Sequence, residues 1–359
     1  MQTVRVNLAE RGYTVYIGSG MLGKAHPAFD RCRGGTVLIV SNETVAPLYI
    51  DTLSGSLTGA DIHKLVLPDG ESYKTEASWS QIIDKLVEIR ATRDATLLTL
   101  GGGVVGDMGG FAAASYMRGI DFIQVPTSLL AQVDASVGGK TGFNHPRGKN
   151  LVGAFHQPRA VLVDIDTLKT LPEREFSAGL AEVVKIAAVR DGGFLDWLES
   201  NAGAIMAREP AALVKMIERS IANKADVVSE DEREAGVRAL LNFGHTFAHA
   251  LETLTDYRTY LHGEAVAIGM MVASRLSELR GLCKRGLSIR LGKLLQSFDL
   301  PLDLPDKFHV DEILHTMKLD KKVIAGSTRL ILLKSAGQGV IDDTSEKAQI
   351  AAAIKASQQ

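Results

Sequence analysis

The chain has 359 residues, 45% of them hydrophobic and 23% charged, and a formal net charge of −2. These ordinary values exclude a disordered chain, and the near-zero charge gives no global attraction to nucleic acid or anionic lipid, so anion recognition has to be local. The length passes the size at which one core stops growing, so two domains are expected.

Cys32 and Cys283 stand far apart and read as reduced thiols of a cytoplasmic protein. No stretch approaches the roughly 20 apolar residues that span a bilayer. The N-terminal segment mixes charges into an alternating pattern, unlike a secretion signal.

In chain order, the first strand-like run to carry a motif is residues 13–17, followed by Gly18-Ser19-Gly20-Met21-Leu22-Gly23. This spells G-x-G-x-x-G, and Glu43 sits near the offset of a ribose-binding acid, but Pro27 interrupts the helix that a dinucleotide site needs. A strand with a tight turn is the preferred reading. Further strands are predicted at 36–40, 63–67, 96–100, 122–125 and 160–164, short runs rich in Val, Ile and Leu, with an amphipathic helix over 78–87. Strands without polar alternation imply a parallel sheet covered on both faces. The run at 96–100 leads directly into GGGVVGD at 101–107, where bare backbone N–H groups can approach a phosphate. Its bland alternative is tight glycine packing. A second glycine cluster, VGGKTGFNHPRGKN at 137–150, carries Lys140, Lys149 and Asn150.

Near residue 172 the pattern changes to successive helices, predicted at 178–189, 210–229, 242–254 and 263–279. The expected domains are therefore 1–172 and 173–359, an α/β domain and an all-helical one, with the site in a cleft between them. His245 and His249 lie at i and i+4 of one presumed helix and His262 opens the next. Glu182 lies in an otherwise apolar helix with Lys185 at i+3; the two form a structural ion pair or point into a site. Spacing alone selects no ligand set among Glu182, His245, His249 and His262, although their chemistry suits zinc or a similar divalent ion. Arg118, Lys140, Lys149, Lys185, Lys224, Arg238 and the pair Lys321-Lys322 cluster in the same segments. Each alone reads as a solvated surface charge, and together they suit a small polyanion.

The strings GGGVVGDMGGFAAASYMRG, QVPTSLLAQVDASVGGKTGFNHPRGKN, AGLAEVVK, SEDEREAGVRALLNFGHTFAHALE and LHGEAVAIGM together resemble the 3-dehydroquinate synthase family of sugar phosphate cyclases, and the likeness runs from LPDGESYK at 67–74 to DKKVIAGSTRLILL at 320–333. The resemblance implies a Rossmann-like NAD-binding domain, a helical domain and one divalent metal, zinc or cobalt. It implies Glu182, His245 and His262 as metal ligands, with His249 left for proton transfer. The implied NAD contacts are Asn42, Glu43, Asp69, Gly70, Glu71, Ser72, Tyr73, Lys74, Gly103, Val104, Val105, Gly106, Asp107, Thr127, Ser128, Lys140, Lys149, Thr167, Leu168, Lys169 and Thr170. The implied substrate and catalytic set adds Asp134, Asn150, Lys185, Lys224, Glu234, Arg238, Asn242, a lysine of the 321–322 pair, and Arg118 from the second subunit of a homodimer. Two departures, Ser128 for the family's usual threonine and Ala135 for its serine, leave these roles intact. The implied reaction converts 3-deoxy-arabino-heptulosonate 7-phosphate to 3-dehydroquinate and phosphate by transient NAD-dependent oxidation, phosphate elimination, reduction, ring opening and aldol closure. No nucleic acid or membrane partner is implied.

Overall fold

In a computed structural model, residues 1–319, 323–324 and 327–358 are described. Contacts divide the chain into two units, Met1–Leu171 with Leu213–Glu232, and Pro172–Ala212 with Arg233–Gln359. The helix Pro210–Glu230, read from sequence as part of the helical half, thus falls mostly with the first unit.

The first unit is built on a seven-stranded sheet: β1 (Gln2–Val6), β2 (Tyr13–Gly18), β3 (Thr36–Asn42), β4 (Asp61–Leu67), β5 (Thr96–Gly101), β6 (Asp121–Pro126) and β9 (Ala160–Asp164). Its spatial order is β1-β2-β9-β6-β5-β3-β4, and every pairing except β1 with β2 is parallel. The continuous apolar runs follow from burial on both faces. In β3, Val37 and Ile39 pack into one cluster with Ile50 and Leu53 of α1 (Ala46–Ser56), while Leu38 and Val40 enter the other with Ile82 and Leu86 of α2 (Glu76–Glu88). Each such side chain contributes about 1.5–3 kcal/mol on burial.

The chain leaves β3 through α1 to β4 on one side and returns through α2 to β5 on the other. This reversal opens a crevice at the carboxyl ends of the strands. From β5 the chain enters α3 (Gly103–Ser115), and β7 (Lys140–His145) pairs with β8 (Gly148–Phe155) in an antiparallel hairpin, so the second glycine cluster forms a hairpin.

In the second unit, α4 (Glu173–Arg190) is buried without interruption from Phe176 to Val189. It is followed by α5 (Gly192–Met206), α7 (His245–Leu254), α8 (His262–Leu279), α9 (Leu287–Ser297), α10 (Val310–Leu319) and α11 (Lys347–Lys355), with α6 being Pro210–Glu230. A hairpin of Leu330–Ser335 and Gln338–Asp342, not anticipated from sequence, is fastened to α8 where Ser277 Oγ accepts the Leu333 N–H at 3.0 Å. No described helix is long and apolar enough to cross a membrane.

Candidate active site

The early G-x-G-x-x-G is occupied by the protein itself. The amides of Gly20, Met21 and Leu22 donate to the Asp164 carboxylate at 3.0, 2.6 and 2.8 Å, so this backbone nest holds an internal anion, and the chain goes on to a short 3₁₀ helix at Pro27–Cys32 where a dinucleotide site needs an α-helix.

The loops after β3, β4, β5, β6 and β9 all open on the carboxyl edge of the sheet. Asn42 Nδ2 donates to Asp69 Oδ1 at 2.6 Å and Thr44 Oγ1 to Asp69 Oδ2 at 2.7 Å, tying the loop that carries Glu43 to the one that carries Gly70, Glu71, Ser72 and Tyr73. After β5, Gly102 precedes the first turn of α3, whose leading N–H groups have no partner within the helix. A Cβ at Gly103 would stand 3.3 Å from Ala135 Cβ, and one at Gly102 would stand 3.4 Å from Ser128 Oγ. The room for an anion against this backbone is thus room a side chain would fill. Farther along α3 the bland reading of the glycine run holds: at Gly106 a Cβ would meet Gln124 Oε1 at 2.9 Å, and at Gly109 it would meet Thr99 Cγ2 at 2.3 Å. Val104 shares that first turn, whereas the Val105 and Leu168 side chains are buried, which leaves main chain to face any ligand there. Thr127 donates its amide to Gly101, Thr167 Oγ1 to the Asp164 carbonyl, and Thr170 Oγ1 lies 2.5 Å from the Tyr49 hydroxyl. Lys169 pairs with Asp166 at 2.8 Å.

Lys74 is buried, and its Nζ donates to Asp107 Oδ2 at 2.5 Å and Asn150 Oδ1 at 2.7 Å. Burial alone would lower its pKa, but the charges of Asp107 and Glu71 outweigh that and raise it, so it stays an ammonium. Asn150 adopts a left-handed φ of 52° and donates its amide to Asn144 Oδ1, while Asn144 Nδ2 reaches Glu71 Oε1 at 2.7 Å. Lys149 Nζ stands 4.0 Å from the same Glu71 oxygen. Lys140, exposed, opens β7. Lys224 of α6 donates to the Asp134 carbonyl at 2.6 Å and pairs with its carboxylate. Arg118 is exposed on a turn where Met117, Arg118 and Gly119 all have positive φ.

In the second unit, Glu182 on α4 is buried; its Oε2 pairs with Lys185, and its Oε1 has no hydrogen-bond partner among the described residues. That oxygen lies 3.8 Å from His245 Nε2 and 3.6 Å from His262 Nε2. One ligand atom from each of Glu182, His245 and His262 falls within 4.8 Å of the others. Ligand atoms of a tetrahedral ion with bonds near 2.1 Å are about 3.4 Å apart, so this oxygen-and-imidazole set fits a divalent metal. The His249 ring lies beside it, 5.7 Å from that of His245 and 6.5 Å from that of His262.

Two close approaches create the cluster. A Cβ at Gly263 would come within 1.8 Å of the Ala178 carbonyl oxygen, so α8 starts in direct contact with the α4 turn preceding Glu182. Gly244 starts α7 at a φ of +81°, and a Cβ there would strike the Met270 amide at 2.7 Å. Glu264 Oε2 accepts the Leu261 N–H at 2.8 Å and Arg174 grips the same carboxylate, which pins the turn that presents His262. Helix α7 begins at His245, and a 3₁₀ turn at Val237–Asn242 precedes it, holding buried Arg238 and placing Asn242 Nδ2 2.6 Å from Glu234 Oε1. Lys321 and Lys322 lie outside the described residues.

Sequence reasoning missed Glu252. It is buried, with Oε1 3.1 Å from His262 Nδ1, and the signal was its place at i+7 from His245, on the helix face shared by His245 and His249.

Residues 64–178 match the family described as 3-dehydroquinate synthase N-terminal, and residues 179–323 match its C-terminal counterpart. The chain belongs to the 3-dehydroquinate synthase family. It is 53% identical over 343 residues to the 3-dehydroquinate synthase of Nitrosococcus oceani, covering 96% of each chain. Among solved structures of the superfamily, a 2-epi-5-epi-valiolone synthase from Streptomyces hygroscopicus subsp. jinggangensis, with NAD+ and Zn2+ bound, is 30% identical at a TM-score of 0.88, over 98% of both chains. A 2-deoxy-scyllo-inosose synthase complexed with carbaglucose-6-phosphate, NAD+ and Co2+ is 27% identical at a TM-score of 0.90, over 99% of this chain and 100% of that one.

Proposed function

We propose that the chain is a phosphate-eliminating carbon–oxygen lyase that converts 3-deoxy-arabino-heptulosonate 7-phosphate to 3-dehydroquinate, using NAD and one divalent ion, zinc or cobalt. The observation that carries this reading is the match over nearly the full length, at about half identity, to relatives with that activity. The donor set supports the metal: Glu182, His245 and His262 would hold it, and Glu182 Oε1 is a buried oxygen that an ion would satisfy. When bound, such an ion supplies Lewis acidity toward a substrate hydroxyl, and NAD supplies reversible hydride transfer.

The chain's own residues do the rest. The loops carrying Asn42, Glu43, Asp69–Lys74, Gly103–Asp107, Thr127, Ser128 and Thr167–Thr170 hold NAD at the strand ends, where α3 presents its N-terminal amides to the diphosphate. Lys140, Lys149, Asn150, Lys185, Lys224, Arg238 and Asn242 bind the carboxylate, hydroxyls and phosphate, with Asp134 and Glu234 orienting Lys224 and Asn242. His249, beside the donor set, moves a proton to or from the ring-opening oxygen. Arg118, exposed on its strained turn, is supplied to the other protomer of a homodimer. The protein works in the cytoplasm.

Phosphate release from the heptulosonate phosphate with NAD+ and zinc tests the reading. The expected result is one phosphate per substrate without net NADH. Net NADH from a simple polyol would make the chain a dehydrogenase, and cyclisation of a different sugar phosphate alone would move it to another branch of the superfamily.

A further inference from the structure

Next to the donor set lies a buried carboxylate that the proposed chemistry leaves without work. Glu252 is only 3% exposed, and a carboxylate removed from water is costly unless a charged or hydrogen-bonding partner compensates it. One partner is His262 Nδ1, 3.1 Å from Glu252 Oε1. An ionised carboxylate only accepts hydrogen bonds, so the imidazole proton belongs on Nδ1 and the lone pair on Nε2. Nε2 is the nitrogen that faces Glu182 Oε1 at 3.6 Å.

The two histidines of the site are oriented by different means. The His245 Nδ1 stands 3.3 Å from the Phe243 carbonyl, a main-chain acceptor that no side-chain replacement removes. His262 opens α8 with 36% of its side chain exposed, and its Nδ1 meets a side-chain carboxylate in place of a main-chain carbonyl. The Glu252 contact is a side-chain restraint that selects the orientation in which Nε2 points at the other donors.

The geometry points to Glu252 as a positioning residue of the metal site: it fixes the tautomer and the rotation of His262, makes that imidazole a stronger donor, and so sets how tightly the ion is held. Carboxylates in this outer position are worth roughly 10- to 100-fold in metal affinity. The inference rests on reading Glu182, His245 and His262 as a divalent-ion site.

The test is zinc affinity by chelator competition on the full-length Glu252→Gln protein, together with the visible spectrum of its cobalt form and the unfolding midpoint of its metal-free form. Glutamine keeps the shape and an acceptor but loses the charge, so the expected result is a zinc Kd weaker by about tenfold or more, an altered cobalt spectrum, and unchanged NAD+ binding and metal-free unfolding. Glu252→Ala, if it folds, should weaken zinc further. Zinc bound as tightly as in the parent with an identical cobalt spectrum would overturn the inference. So would a Glu252→Gln protein that is destabilised when metal-free but binds zinc normally once folded, since Glu252 would then only tether α7 to α8. Failure of the underlying reading looks different: the parent itself, and not only the variant, would hold no stoichiometric zinc.

Discussion

His245 and His249 stand one turn apart on α7, yet removing them should have different consequences. His245 Nε2 belongs to the cluster with Glu182 and His262, whereas His249 lies beside it. His245→Ala is expected to purify without zinc and without phosphate-releasing activity, because two remaining protein ligands hold the ion weakly. His249→Ala is expected to keep stoichiometric zinc and to turn over about 10²- to 10⁴-fold more slowly, the usual weight of proton transfer. Metal analysis combined with the phosphate assay separates the two. Zinc lost from both variants would instead support the i, i+4 pair as ligands, and zinc retained in the His245 variant would remove His245 from the donor set.

At the scale of elements, the site depends on how closely α8 can approach α4. Gly263→Ala puts a methyl where the Ala178 carbonyl lies at 1.8 Å, so the start of α8 must move and carry His262 with it. A loss of about 1–3 kcal/mol of stability, typical of overpacking, is expected, along with weaker zinc binding. Gly203 offers the control: it lies inside α5 with nothing within 4 Å of an added Cβ, so Gly203→Ala should stabilise by about 0.5–1 kcal/mol and leave zinc affinity unchanged. Denaturant unfolding of the metal-free proteins measures the first pair of effects and chelator competition the second. Equal zinc affinity in both variants would mean that the α4–α8 approach does not govern the site.

Across the whole molecule, stability should depend on pH through two histidines outside the proposed donor set. Burial lowers the pKa of His26, against a smaller opposing pull from Asp30, and its Nδ1 accepts the Ala28 N–H at 3.1 Å, an interaction lost on protonation. Burial likewise lowers His156, with the Ile120 carbonyl acting in opposition. Both folded values lie below the unfolded value near 6.5, so in that interval the unfolded chain binds more protons and the unfolding free energy rises with pH. The stabilisation is complete above about pH 6.5 and is lost as pH falls toward the folded values. Thermal unfolding of the metal-free protein should therefore show a midpoint that drops between pH 7.5 and 5.5. His26→Asn retains an acceptor for Ala28 but does not titrate, and should flatten that dependence; an unchanged slope would remove His26 from the account.

What the sequence alone determined was whatever rests on neighbours in the chain. Apolar runs such as 96–100 and 160–164 read as buried strands because burial on both faces leaves no room for polar alternation, and all of the predicted strands are present. The ordered motifs from GGGVVGD to LHGEAVAIGM carried the family, since that many chemistry-bearing residues in fixed order do not recur by chance. Local pattern failed where propensity was weak: α1 contains Pro47, Gly55 and the hydroxyl residues Thr52, Ser54 and Ser56, and α5 opens on two glycines, so tertiary burial and the Asp191 cap had to supply what periodicity lacked. Everything that joins distant residues was decided by the tertiary structure. Asp164 fills the nest of a glycine loop more than 140 residues away, so a motif spelled correctly binds no ligand. Helix spacing could pair His245 with His249, but only the contact of α8 with α4 brings His262 to Glu182 Oε1, which has no hydrogen-bond partner among the described residues, and a donor set is defined by distances in space.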